Sequence, residues 1–239
     1  MINQIHSEWI KFRSVRSTLV MFCVAVLLGL GFSVVSALIA KEDLDVAKVL
    51  TGTSIANMLF LVLGVQIIGQ EYRFNTIRAT LSATPTRLRV VIAKAIILFS
   101  SLMTASIILI ATGLIIASVI LNTRGYTLDL DLAGTNRVIT GTLVGAVGAT
   151  AFGFGVGAIT RQPVAGIVVA LAWPAAFESS VNALAPKLGP WLPFASASNI
   201  WNLKLNPDFL SPVAGSAYFL SISFALAALG TILMKRSDG

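Results

Sequence analysis

The chain has 239 residues, of which 56% are hydrophobic and 11% are charged, and its mean hydropathy is +0.88. A soluble domain is about 25% charged, so this composition excludes an ordinary soluble protein and indicates a membrane protein. The net charge of +7 would suggest nucleic acid in a soluble chain, but in a membrane protein the cations first report topology, and no nucleic-acid partner is expected.

The first 17 residues are predicted to form an amphipathic helix. Apolar side chains recur at helical spacing on one face: Ile2, Ile5, Trp9 and Phe12. Glu8 is placed largely elsewhere around the helix. Such a helix lies flat on an anionic inner leaflet, and four residues are expected at that interface: Trp9, Lys11, Arg13 and Arg16. A simpler alternative is that the helix only anchors the span that follows it.

A single all-α transmembrane domain is predicted over residues 18–236. A spanning helix needs about 20 apolar residues, and six runs have about that length, at about 18–40, 50–69, 94–121, 138–160, 164–183 and 213–234. Pro174 interrupts the fifth run and Glu178 follows it. This span is therefore expected to be kinked or to end early.

The segment 70–93 between the second and third spans is predicted to form two short helices joined by a corner. Phe74, Ile77 and Leu81 fall at i, i+3 and i+7, which indicates an amphipathic helix. In the following "SATPTR", Thr84 is a suitable N-cap and Pro85 a suitable first residue of a new helix. A rigid corner of this kind can transmit force, whereas the alternative is that its cations only fix the topology.

The fourth span is rich in glycine. Gly141, Gly145 and Ala149 have small-xxx-small spacing, which lets helix backbones approach closely. The simplest interpretation is packing within one chain. A pore-lining or moving helix, or a contact with a second copy of the chain, is the alternative.

The distribution of Lys and Arg predicts the orientation of the chain. Eleven of them lie in the N-terminal segment, the 69–94 segment, the turn at Arg161 and the C-terminal end, against six on the opposite side. Acidic residues favour that opposite side. By the positive-inside rule both termini and the 70–93 segment are cytosolic.

The sequence lacks the residues and motifs that several mechanisms require. The apolar cores contain no Asp, Glu, Lys, Arg or His, so a proton-coupled pump has no relay. No H-E-x-x-H motif and no G-x-x-x-x-G-K-[ST] phosphate loop occurs. No catalytic residue, metal or cofactor is therefore expected on this chain, and an ATP-driven process would need another chain to bind the nucleotide.

Three stretches resemble the permease subunits of bacterial ABC-2 type exporters. They are "EWIKFRSVRSTL" before the first span, "GQEYRFNTIRATLSATPTRLRVVIAK" between the second and third, and "GVGAITRQPVAGIVVAL" at the fourth-to-fifth turn. The middle stretch is the most specific, and the likeness covers nearly the whole chain. It implies a multi-pass protein of the bacterial cell membrane, with two permease copies, identical or paralogous, and two ATP-binding subunits that carry ATP and magnesium.

The resemblance also implies roles for particular segments. The N-terminal helix becomes an elbow helix and the 70–93 segment a coupling helix that docks on the ATPase. The residues that would face the ATPase are Glu71, Tyr72, Arg73, Thr76, Arg78 and Leu81. Arg87 and Lys94 would lie by the inner leaflet.

The segment 184–212 resembles the family's half-helices that dip back into the outer leaflet, with an ordinary external loop as the alternative. Two other functions stay open. One is a non-transporting membrane anchor or immunity protein that sequesters a peptide, and the other is a sodium-coupled carrier, which should show internal repeats. The transported substrate does not follow from the sequence.

Overall fold

The computed structural model describes residues 2–74 and 87–237 of the chain. Within them the protein is all-α, with six helices that are long and apolar enough to cross a membrane. The prediction of a membrane-embedded, polytopic helical protein is therefore confirmed at this level.

Helices make up most of the described chain. The N-terminal helix and the helices that build the spans are α1 (Ile2–Ser14), α2 (Arg16–Ile39), α3 (Val46–Arg73), α4 (Arg87–Thr123), α5 (Thr135–Thr160), α6 (Pro163–Ala172), α7 (Ser179–Leu184) and α10 (Pro212–Ser237). Between them lie a π-helical turn (Trp173–Glu178), a 3-10 turn (Gly189–Trp191), α8 (Pro193–Ser196) and α9 (Ser198–Trp201). Two two-residue strands, β1 (Leu44–Asp45) and β2 (Leu128–Asp129), pair in parallel.

The fifth predicted span is continuous helix with a π-helical turn inside it. It runs as α6, the turn Trp173–Glu178 and α7, so it neither ends at Pro174 nor stops before 183. Proline has no backbone N–H to donate and its ring crowds the preceding turn. The helix accommodates Pro174 within a π-helical turn, and the hydroxyl of Ser179 donates to the carbonyl of Pro174 at 3.2 Å.

Helices α3 and α5 form the centre of the bundle, because they pack on each other more extensively than any other pair. Their backbones touch at glycine: a Cβ on Gly153 would collide with the carbonyl oxygen of Leu61, and one on Gly64 would lie 2.6 Å from the carbonyl oxygen of Thr150. Phe60 is fully buried in the same core. This close approach explains why the fourth span needs so many small residues.

The segment between α7 and α10 packs into the bundle. Phe194 of α8 lies 5.2 Å from the ring of Phe152 and 4.9 Å from that of Phe219, and Ile200 of α9 is 7% exposed. The segment is thus folded onto α5 and α10 as short helices. Their re-entry into the outer leaflet stays a prediction.

A latch joins the loop after α2 to the loop after α4. Leu44 and Asp45 of β1 pair with Leu128 and Asp129 of β2. Beside this ladder, the guanidinium of Arg124 donates to the carbonyl of Ala37 at 2.8 Å. These contacts, which we call the β latch, connect α2, α3 and α4 at the end of the bundle where α3 begins.

Candidate functional site

Four charged side chains meet where α1, the end of α3 and the first turns of α4 come together. Lys94 Nζ lies 2.5 Å from Glu8 Oε2 and 2.7 Å from Glu71 Oε1. Lys11 Nζ lies 2.8 Å from Glu8 Oε1 and 3.3 Å from Glu71 Oε1. We call Glu8, Lys11, Glu71 and Lys94 the charged cluster. Each lysine contacts both carboxylates, so the four groups form a closed ring of ion pairs.

The charged cluster is largely buried. Glu8 and Lys94 are each 3% exposed and Glu71 is 8% exposed. Taking such groups out of water costs several kcal/mol per ion unless each charge is paired and hydrogen-bonded. Two cations against two anions meet that condition, so the cluster has no net charge.

Lys11 is the member of the cluster that water reaches, with 39% of its side chain exposed. Burial by itself lowers the pKa of Lys11. The hydrogen bonds and charges of Glu8 and Glu71 outweigh this and raise its pKa above the ordinary value. Lys11 is therefore held as a cation at the mouth of the cluster.

Helix α1 presents Glu8 to the bundle because of its position between Ile5 and Phe12. Those two residues are half-buried, and the ring of Phe12 packs edge-on against Phe22 with 6.2 Å between centroids. Glu8 lies one turn from each of them and is turned inward with them. The sequence pattern predicts Glu8 away from this face, and that prediction is wrong. Trp9 is 42% exposed and stacks on Phe12.

The end of α3 is fastened to several other elements besides α1 and α4. Gln70 Nε2 donates to the hydroxyl of Ser17 at 2.9 Å, which joins α3 to α2. The guanidinium of Arg161 lies 5.8 Å from the centre of the Tyr72 ring and also donates to the carbonyl of Leu233 at 3.0 Å. Arg161 thus links the ends of α3, α5 and α10.

The residues predicted to face an ATPase have different environments. Glu71 points into the charged cluster, and Tyr72 is half-buried against the guanidinium of Arg161. Arg73 is exposed at the last residue of α3, with its guanidinium 5.5 Å from the centre of the Phe74 ring. The remaining three lie outside the described residues: Thr76, Arg78 and Leu81.

The residues predicted at the membrane interface also differ in their exposure. Trp9, Arg13 and Arg16 are exposed. Lys94 differs from the prediction in that its ammonium is buried against two carboxylates and is not exposed to a membrane surface. Lys11 is shared between solvent and the cluster, and Arg87 begins α4 with a side chain that lies outside the described part of the chain.

The predicted small residues of the fourth span lie inside the chain. A Cβ on Gly141 would be 2.5 Å from the carbonyl oxygen of Ile200, and one on Gly145 would be 3.1 Å from the side-chain amide nitrogen of Asn57. Ala149 is 3% exposed. The three positions therefore give α9 and α3 room to pack on α5.

No protein-family model matches this chain, and no curated protein matches it. Among the residues that the structure describes, no group of three or more His, Cys, Asp or Glu side chains could hold a metal ion.

Proposed function

We propose that this chain is the transmembrane permease subunit of an ATP-driven exporter of the bacterial cell membrane. Two permease copies line the substrate route, and two separate ATP-binding subunits carry ATP and magnesium. Both termini and the 70–93 segment face the cytosol, where the segment docks on the ATPase. The chain itself performs no covalent chemistry.

The observation that carries the proposal is the position of the charged cluster. Residues 75–86 are connected to the bundle through α3 on one side and α4 on the other, and the cluster lies just before and just after them, at Glu71 and Lys94. Glu8 and Lys11 add α1 to the same junction. A push on the segment would therefore move three helices together.

The burial of these ion pairs suits a junction on which the 70–93 segment would push in every transport cycle. Removing one partner of a buried ion pair costs about 3–5 kcal/mol, because the other charge is left unpaired. An exposed ion pair contributes only about 0–1 kcal/mol. A junction built from buried pairs would stay closed while the segment is displaced.

The packing of α3 provides the route from this junction into the bundle. Its end holds the cluster, and its length packs on α5 through the contacts at Gly64 and Gly153. Close-packed helices shift as units because their interfaces resist continuous deformation. A movement received by the end of α3 would thus reach the centre of the transmembrane bundle.

The test is co-expression and co-purification of the chain with ATP-binding subunits encoded in the same genome, followed by an ATPase assay in lipid nanodiscs. We expect a stable complex whose ATPase activity falls at least about tenfold on Arg73→Glu or Arg78→Glu, since both would place a repelling charge at the docking segment. Lys187→Glu is the matched control, because Lys187 is exposed in the loop after α7.

Two results would refute the proposal. One is a purified chain that moves cargo alone in response to an ion gradient, which would make it a carrier. The other is a chain that binds no ATPase although all variants insert normally, which would favour a membrane anchor.

A further inference from the structure

A half-open cavity of about 320 Å³ lies between several elements of the chain, away from the charged cluster. Its wall combines Asn57 of α3, Gly145 of α5, Glu178 of the π-helical turn, Phe194 of α8 and Trp201 of α9. Five separate elements thus converge on one space. The volume suits a small organic molecule more than a long lipid chain.

Asn57 lines this cavity and carries an unpaired acceptor that is itself closed off from solvent. The side chain is 7% exposed, and its amide nitrogen donates to the carbonyl of Thr142 at 3.0 Å. That bond fixes the orientation of the amide, and its oxygen Oδ1 has no partner among the described residues. Leaving a buried acceptor unsatisfied is unfavourable, so the site favours a ligand that brings a donor.

Glu178 supplies a buried carboxyl group on the same wall. It is 3% exposed and accepts from the indole N–H of Trp173 at 2.8 Å and from the backbone N–H groups of Phe194 and Ala195 at 3.1 and 2.8 Å. No cation of the described residues pairs with it. Since two carboxylate oxygens offer about four acceptor positions, one remains for a ligand.

Two hydroxyl groups of the wall also leave acceptors for a ligand that brings donors. The hydroxyls of Ser54 and Ser179 already donate to the carbonyls of Leu50 and Pro174, and the indole of Trp201 donates to that of Gly141. The hydroxyl oxygens remain as acceptors. The rings of Phe194 and Trp201 add faces on which a cation is stabilised.

We propose that this cavity binds a primary ammonium group carried by a small apolar or aromatic body. The ammonium would donate to Asn57 Oδ1 and pair with the carboxylate of Glu178, while the apolar body lies against Phe194 and Trp201. Because the whole site lies within one chain, it does not depend on the ATP-binding partner or on a second permease.

The first experiment measures binding of three matched probes to the purified full chain in phosphatidylcholine nanodiscs by calorimetry. The probes are 2-phenylethylammonium, its N,N,N-trimethyl derivative and 2-phenylethanol. We expect the primary ammonium to bind at least about tenfold more tightly than either of the others, since the trimethyl derivative has no N–H and the alcohol has no charge. Equal affinity for all three probes would overturn the proposal by itself.

The second experiment compares variants of the wall. Asn57→Leu and Glu178→Gln should each weaken binding of 2-phenylethylammonium at least about tenfold. Thr53→Val is the matched control, because Thr53 is a buried residue of the same helix whose hydroxyl also has no partner among the described residues but which does not line the cavity. Unchanged affinity in folded Asn57→Leu and Glu178→Gln would refute the site.

A third experiment separates two sources of the same ammonium chemistry, a free amine and the headgroup of phosphatidylethanolamine. Nanodiscs containing this lipid are compared with those of phosphatidylcholine alone. If the lipid headgroup occupies the site, the affinity for 2-phenylethylammonium falls in its presence, and Asn57→Leu abolishes that competition. If the affinity is the same in both membranes, the ligand is a free amine. Competition that persists in Asn57→Leu would refute the site.

Discussion

Replacing Lys94 with methionine tests whether the charged cluster stabilises the fold. The change removes the ammonium that lies 2.5 Å from Glu8 and 2.7 Å from Glu71 while keeping most of the side-chain volume. Loss of one partner of a buried pair costs about 3–5 kcal/mol. Lys11 stays 2.8 Å from Glu8 and compensates part of that loss. We therefore expect a decrease of about 3 kcal/mol in the free energy of unfolding.

A double-mutant cycle separates pairing from packing. Glu8→Gln combined with Lys94→Met leaves one lysine and one glutamate, so the charges balance again. The pair of changes should cost at least about 1 kcal/mol less than the sum of the single changes, as expected for residues in one network. Unfolding can be followed by tryptophan fluorescence during titration of mixed micelles with SDS.

The matched control is Lys48→Met. Lys48 lies 3.4 Å from Glu42 and 3.8 Å from Asp45, but 52% of its side chain is exposed. Exposed pairs contribute about 0–1 kcal/mol. If Lys94→Met costs no more than this control, or if the two changes in the cycle are additive, the cluster does not hold the junction and the reasoning fails.

Three further predictions concern packing, topology and capping. Gly153→Ala should destabilise the protein by about 1–3 kcal/mol, because its Cβ would collide with the carbonyl of Leu61, whereas Gly31→Ala, which faces open space, should be neutral or stabilising in the same unfolding titration. With Cys23 replaced by alanine, a cysteine at Glu42 should react with an impermeant maleimide on intact cells and one at Ser7 only after permeabilisation; the reverse pattern would invert the orientation. Asp45→Ala should cost about 1 kcal/mol by thermal unfolding, since its carboxylate caps α3 at the N–H of Lys48, and no loss would show that the cap is dispensable.

The six long apolar helices could be predicted from the sequence because they depend on local hydrophobicity. The predicted fourth span at 138–160 becomes Thr135–Thr160, and the predicted sixth at 213–234 becomes Pro212–Ser237. The structural effect of Pro174 does not follow from local sequence in the same way. Proline disrupts an α-helical turn, but whether the chain then bends, stops or widens into a π turn depends on what packs around it.

The charged cluster could not be predicted from the sequence. Lys94 lies 86 positions from Glu8, and only the packing of α1 on α4 brings them together. On its own, each residue resembles a flanking charge at the end of a span. A signal is present nonetheless, since Lys94 follows four apolar residues and lies beyond the predicted corner, where a lone buried ammonium would need a carboxylate.

The cavity at Asn57 could not be predicted from the sequence either. Its wall joins α3 and α5 to the segment after α7, and nothing in the local patterns indicates that Glu178 caps the backbone of α8. The spacing of Gly145 predicts only a small residue for packing. In the structure Asn57 and Trp201 lie beside Gly145, and all three residues line the cavity.

The β latch has a mechanical consequence when it is considered with the charged cluster. A helix attached to its neighbours at one end can pivot or slide along them, but attachment at both ends removes those freedoms. Helices α2, α3 and α4 are joined at one end by the latch and at the other through α1, the cluster and the bond between Gln70 and Ser17. A sliding step of one helical turn, about 5.4 Å, would break one of these attachments. If the proposed transport cycle leaves these attachments intact, the three helices tilt as a single block.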